Sequence, residues 1–159
     1  MNKSVEYRMA QREDIGKIHF FIKELAEYEK MADHVVATEE LLTQWLFERK
    51  IAEVIFAVED GEDVGFALFF YNFSTFLGRG GIYLEDLFVL PHKRGLGYGK
   101  GLLNQLAKRA VAQNCGRLEW ACLNWNQPSI DFYLSLNAVP MNDWKVYRLE
   151  GESLLKMAE

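Results

Sequence analysis

The stretch IYLEDLFVLPHKRGLGYGKGLLNQLAKRAVA, residues 82–112, changes period in the middle. IYLEDLFV (82–89) reads as a strand stopped by Pro91, and PHKRGLGYGKG follows as a basic, glycine-rich connection. From Leu102 the apolar residues recur at four: Leu102, Leu106 and Ala110 form one row, and Leu103, Ala107 and Val111 the next. A strand, a glycine loop and an immediate amphipathic helix place backbone N–H groups at the positive end of a helix dipole, which suits a pyrophosphate. A P-loop does not fit, because position 94 is Arg and position 101 is Gly; a dinucleotide fingerprint does not fit, because Lys100 stands where its third glycine belongs. A plain flexible turn is the alternative for glycines taken alone.

Working outward, Val5 to Met9 alternates as a short first strand. Asp14 then stands at the cap of a helix carrying Ile15, Ile18, Ile22 and Leu25. Thr38-Glu39-Glu40 starts a second helix that ends near Arg49, with Leu41, Leu42, Trp45 and Leu46 as the expected buried stripe. EVIFAV (53–58) and VGFALFFY (64–71) flank an Asp-Gly dipeptide and read as a hairpin, and an Asn-, Ser- and Gly-rich loop leads to strand 82–89. Beyond Gly116 come a strand at 117–123, a helix at 128–136 stopped by Asn137, a last strand WKVYRL at 144–149, and a helical turn capped by Ser153. Hairpins followed by crossover helices predict an α/β mixed sheet, partly antiparallel and partly parallel, covered by helices.

The chain's 159 residues predict one domain, 1–159. Its net charge of −5 disfavours nucleic acid as a partner. Cys115 and Cys122 lack a disulfide or metal spacing and point to a reducing compartment, the cytoplasm. His19, His34 and His92 fall in different elements, so no metal is expected. The first fourteen residues carry no apolar leader, and no apolar run approaches the ~20 residues of a membrane span.

Arg94-Gly95-Leu96-Gly97-Tyr98-Gly99 between a strand and a helix resembles the acetyl-CoA loop of the GNAT acetyltransferase superfamily. NWNQPSIDFY (124–133) resembles that superfamily's downstream Asn-to-Phe-Tyr motif. KELAEYEK (23–30), YLEDLFV (83–89) and LLKMA (154–158) resemble its spermidine/spermine N-acetyltransferase branch. The resemblance implies a GNAT-like fold: a mostly antiparallel central sheet, a parallel pair splayed around the loop, and helices on both faces. It implies transfer of acetyl from acetyl-CoA, without a metal, to a primary amine of a diamine, polyamine or lysine-like molecule.

By the same resemblance, Arg94, Gly95, Leu96, Gly97, Tyr98, Gly99, Lys100 and Asn126 would hold the cofactor, with Phe88 and Val89 pairing with its pantetheine arm. Tyr133 would protonate the departing thiolate and Glu85 would accept the amine proton through water, while Tyr28, Glu29 and Asp86 would bind substrate. Proton removal is needed because an ammonium of pKa ~10.4 is free amine only about one part in a thousand at pH 7. No cysteine lies in a motif position, which favours direct transfer in a ternary complex, and relatives in this branch imply a homodimer.

Strict alternation sets Glu85 with Tyr83 and Leu87 on one face of the strand and Asp86 with Leu84 and Phe88 on the other, so aiming both carboxylates into one pocket requires a bulge. The sequence departs from the animal polyamine enzymes at Asn124 and Gln127, where those carry glutamates, and at Lys30, where they carry an uncharged residue. Less acid near the channel disfavours a long polycation. Thialysine or an amino-sugar then stand as other amines, a non-catalytic acyl-CoA sensor as another function class, and an interaction protein using the aromatic segment 72–78 as a third.

Overall fold

The Asp-Gly turn is the tightest feature of the hairpin on which the sheet is built. Asp60 and Gly61 both have positive φ, at 50° and 85°, as a two-residue primed turn requires, and they join β2 (Glu53–Glu59) to β3 (Glu62–Ser74). The computed structural model describes residues 5–159; the first four residues of the non-apolar start lie outside them. β1 (Val5–Met9) pairs antiparallel with β2, and β3 with β4 (Arg79–Val89). β5 (Leu118–Trp120) then lies parallel to β4, completing a five-stranded mixed sheet in the order β1-β2-β3-β4-β5.

The connection expected as a loop between β3 and β4 is mostly strand. Asn72 pairs with Gly81 and Ser74 with Arg79, leaving a four-residue turn. Gly81 is tolerated there because a Cβ would meet the Asn72 side chain at 2.7 Å.

The chain forms two compact units, one reaching to Ala121 and the other spanning Cys122–Glu159. In the first, α1 (Ile15–Tyr28) covers one face of the sheet. Its Ile18, Phe21 and Leu25 pack with Val54, Phe56, Val58, Phe66, Leu68 and Phe88, and Phe21 stacks on Phe66 at 5.2 Å between ring centres. The alternate residues Ile55, Ala57, Ala67 and Phe69 are buried on the other face, which α3 (Tyr98–Ala112) covers through Leu102, Leu103 and Leu106. Of the second expected row on α3, Leu103 is buried, whereas Ala107 and Val111 are exposed.

Asp14 precedes α1 without capping it. Its carboxylate accepts from Gln11 N at 2.7 Å and from Arg8 Nη1 at 2.8 Å, and Arg8 also reaches Asp63 at 2.9 Å while lying over Phe56. The guanidinium beside it holds the Asp14 carboxyl below the usual range.

Thr38 caps α2 (Glu39–Thr43) by accepting from Leu41 N at 3.2 Å, but the helix then widens into a π-turn over Gln44–Glu48. The extra residue rotates the stripe. Leu46 and Phe47 pack against the core, and Leu41 and Trp45, expected inside, are exposed.

The second unit holds α4 (Gln127–Ser135) and α5 (Gly151–Met157), with Asn137 at φ 62° as the expected stop. Two expectations fail here. The strand at 144–149 is absent: its alternation is present in the sequence, but among the described residues no strand pairs with it, and an unpaired strand lacks the ladder that stabilises it. α5 begins at Gly151 after Glu150, so Ser153 lies inside the helix. Strand 117–123 contracts likewise to Leu118–Trp120.

α3 crosses β1 with very little space. A Cβ on Gly101 would lie 1.6 Å from the Tyr7 hydroxyl and 2.6 Å from its ring. Alanine inside a helix ordinarily gains about 1 kcal/mol over glycine, but overpacking against a ring costs about 1–3 kcal/mol. Gly101→Ala is therefore expected to lower the urea midpoint, and the loss is expected to vanish or reverse in a Tyr7→Ala background.

Candidate active site

β4 does not run straight. Phe69 pairs with Leu84 and Leu68 with Asp86, so Glu85 is an extra residue without a cross-strand partner. The insertion inverts the alternation. Ile82 and Leu84 lie on the α3 face with Tyr71 and Phe69, whereas Asp86 and Phe88 lie on the α1 face with Leu68 and Phe66. Strict alternation would have kept Leu84 and Asp86 together, and the bulge separates them. It brings Asp86 to the side of Tyr83, which stacks on Phe70 at 5.1 Å.

The same region is where the sheet opens. The parallel ladder to β5 pairs Ile82, Tyr83 and Leu84 with Leu118, Glu119 and Trp120 and then stops, leaving β4 from Glu85 to Val89 with β3 on one side and, among the described residues, no strand on the other. Arg117 pairs with Glu119 at 3.0 Å, and Glu119 accepts from Asn72 Nδ2 at 2.6 Å, so β5 is held at its near end.

α1 ends next to this bulge in a Schellman turn. Lys30 takes φ 60°, Met31 N donates to Ala26 O at 2.8 Å and Lys30 N to Glu27 O at 3.1 Å. The final residue Tyr28 and the cap Glu29 thus face the strand, with Glu29 at the end of a helix whose dipole disfavours a negative charge. Burial and then the charge on Glu85 push the Glu29 carboxyl up. Burial, Glu85 and Glu29 together push Asp86 up to about 7. Burial, followed by Glu85 and Glu119, raises the Tyr83 phenol. Glu29, Glu85 and Asp86 are therefore one electrostatic cluster of like charges. Such a cluster costs stability and attracts a positive ligand.

At the end of β4 the chain makes a short 3-10 turn over Pro91–Lys93 and enters the glycine loop. Gly95 and Gly97 have φ of 75° and 91°, and a Cβ on either would meet nothing within 4 Å. The glycines serve the backbone conformation and leave an open approach, as a cradle for a diphosphate requires. Arg94 closes one side: its Nε donates to Val89 O at 2.9 Å and its guanidinium lies 4.6 Å from the Tyr28 ring and 5.1 Å from that of Phe88. Arg94, expected to touch cofactor, and Tyr28, expected to touch substrate, are thereby joined. Leu96 and Lys100 are exposed, Gly99 opens the first turn of α3, and Tyr98 is buried.

Two residues that sequence reasoning passed over hold the loop. Glu59, just outside the strand expected at 53–58, is the buried last residue of β2; it accepts from Tyr98 Oη at 2.5 Å and pairs with Lys93. Its alternation with Ile55 and Ala57 was the available signal.

The second unit carries the other expected residues on α4. Asn126 is buried and its Oδ1 accepts from Ser129 N at 3.4 Å, capping the helix ahead of Pro128. Tyr133 lies about two turns further along, beside Phe132 at 5.4 Å between ring centres. Among the described residues no group of His, Cys, Asp and Glu could hold a metal ion, and no helix is long and apolar enough to cross a membrane.

The sequence model of the acetyltransferase (GNAT) family matches residues 18–137, from the α1 core through the glycine loop to the αL stop of α4. The chain belongs to the GNAT acetyltransferase family. It is an acetyl-transferring enzyme, and the family's cosubstrate is acetyl-CoA. The chain is similar to a thialysine N-epsilon-acetyltransferase from Bos taurus, at 36% identity over 97% of both chains. A spermidine/spermine N(1)-acetyltransferase-like protein from Homo sapiens is 31% identical over 96% of this chain and 24% of its own length. Among solved structures, an integron cassette protein from the mobile metagenome of V. cholerae superposes with a TM-score of 0.82 at 33% identity, covering 98% of each chain. The GNAT fold expected from the glycine loop is borne out, including the parallel pair that splays.

The position of Asp86 gives stability a particular pH dependence. A carboxyl raised from ~3.9 to about 7 in the fold retains a proton the unfolded chain releases, so stability is lost as pH rises from about 4 to 7. Asp86→Asn is expected to remove that decline, making the variant at least as stable as the parent at pH 8 and giving it no advantage at pH 4. Urea unfolding at the two pH values measures it.

Proposed function

We propose that residues 1–159 form a single N-acetyltransferase domain that moves the acetyl group of acetyl-CoA to a primary amine of a small molecule, a diamine or a lysine-like amine. The observation that carries the reading is the bulge at Glu85. It sets an unpaired carboxylate at the point where β5 leaves β4, four residues from the strand end that feeds the glycine loop. Acyl donor and amine must meet there if Phe88 and Val89 pair with the pantetheine arm and the loop amides hold the diphosphate, with Asn126 as a further cofactor contact.

In this reading the amine nitrogen attacks the thioester carbonyl directly, the carbon–sulfur bond breaks, and the thiolate takes its proton from Tyr133. The proton lost by the ammonium passes through water to Glu85. Asp86 and Glu29, with Tyr28 beside them, receive the substrate's second charged end. The similarity to a thialysine enzyme, together with Lys30, Asn124 and Gln127, favours a short amino-acid-like amine over a long polycation. Two free cysteines fit a reducing cytoplasm.

A homodimer is part of the same proposal. The segment beyond Pro140 exposes Met141, Trp144, Val146, Tyr147, Leu149, Leu154, Leu155 and Met157, a run rich in exposed apolar side chains. A second copy of the chain is the partner it fits, through the alternation of residues 144–149. Sedimentation is expected to give twice the chain mass; a monomer would remove this part.

For the chemistry, Tyr133→Phe is expected to lower turnover by about 10²–10³ with CoA affinity kept. Glu85→Gln is expected to depress kcat/KM at neutral pH and to shift its rise toward alkaline pH, where the amine arrives deprotonated. An amine panel with thiol release as the readout checks both. Absence of turnover with every amine, with CoA still bound, would instead favour the sensor.

A further inference from the structure

Glu59 has a side chain only 3% exposed, at the end of a strand whose neighbours on that face are Ile55 and Ala57. An apolar residue would suit such a place, because a carboxylate removed from water is costly unless donors surround it. Here the two donors come from chosen places. Lys93 Nζ pairs with Oε2 and is the last residue before the glycine loop; Tyr98 Oη donates to Oε1 and is the first residue after it. The segment between them is Arg94–Gly97, which contains both positive-φ glycines. Burial pushes the Tyr98 phenol up, so it stays a donor. Glycines give this loop its conformational freedom, and a single buried carboxylate fixes both of its ends.

We propose that Glu59 is a positioning residue that, by pinning Lys93 and Tyr98, holds the Arg94–Gly97 amides at the spacing that receives a diphosphate. This rests on the reading that the loop binds CoA. Glu59 touches neither cosubstrate nor amine and acts only through the loop, so its removal should act on cosubstrate affinity and leave the chemistry of the bound complex alone. An ordinary core residue would instead lower stability without preference for the loop.

The test measures CoA affinity by calorimetry, kcat at saturating acetyl-CoA, and amide hydrogen exchange without ligand. Glu59→Ala is expected to raise the CoA Kd tenfold or more, to keep kcat within about twofold, and to speed exchange at residues 94–98 more than in α1. Glu59→Gln keeps an acceptor and is expected to recover most of the affinity. Unchanged Kd in Glu59→Ala, or unchanged exchange in the loop, overturns the proposal, as does an equal loss of kcat and affinity. Should Glu59→Ala not fold, Tyr98→Phe removes one tie and keeps the ring. It must then raise Kd severalfold, and an unchanged value overturns the proposal. Failure of the underlying reading shows separately: Gly97→Val obstructs the loop directly, and if it binds CoA as well as the parent does, the loop is not the diphosphate site and the inference falls with it.

Discussion

A strand presents side chains to its two faces in strict alternation, and one inserted residue inverts the order for everything beyond it. In β4 that residue is Glu85. Upstream, Ile82 and Leu84 serve the core under α3; downstream, Phe88 serves the core under α1. Both apolar layers are satisfied by one strand only because of the insertion. The insertion also leaves a carboxylate without a cross-strand neighbour and turns the next one, Asp86, toward the end of α1. The acidic cluster is thus a consequence of how the sheet is built, and burial beside Glu85 and Glu29 raises the Asp86 carboxyl.

Charged groups are treated in two ways in the first unit. Around Glu29, Glu85 and Asp86 like charges are gathered, an arrangement that favours a positive ligand. Around Glu59 and Arg8 opposite charges and donors are satisfied by residues from distant parts of the chain: Lys93 and Tyr98 in one case, Asp14 and Asp63 in the other. In the proposed reading the first arrangement serves ligand recognition; the second ties distant parts of the chain together. Both draw on strands of one sheet, Glu59 on β2 and Asp86 on β4, and burial alone does not distinguish the two kinds of carboxylate.

Local signals in the sequence were enough for much of this. The glycine loop, the Asp-Gly hairpin, the row Leu102–Leu106–Ala110 and the αL stop at Asn137 each depend on a few consecutive residues whose chemistry is self-contained. What escaped depends on partners far along the chain. Alternation announces that YLEDLFV is a strand but is blind to an extra residue, because the bulge exists only in relation to β3. Glu59 fell outside the expected strand 53–58, and the donors Lys93 and Tyr98 that reveal its role lie more than thirty residues away. The π-turn at Gln44–Glu48 moved Trp45 outward although its helical spacing was faultless. At 144–149 the error ran the other way: a pattern fit for a strand has no strand beside it among the described residues.

Beyond Leu84, β4 keeps its ladder to β3 but has no strand on its β5 side among the described residues. Open strand sides of this kind are templates on which other chains add strands and aggregate. The pantetheine arm of CoA carries two amide groups of its own and has the width of a strand. In the proposed reading the cosubstrate therefore acts as a temporary sixth strand, and the enzyme's solubility is coupled to its loading. Because CoA and acetyl-CoA share that arm, either would cover the slot in this reading, and only a protein emptied of both would leave that side of the strand open.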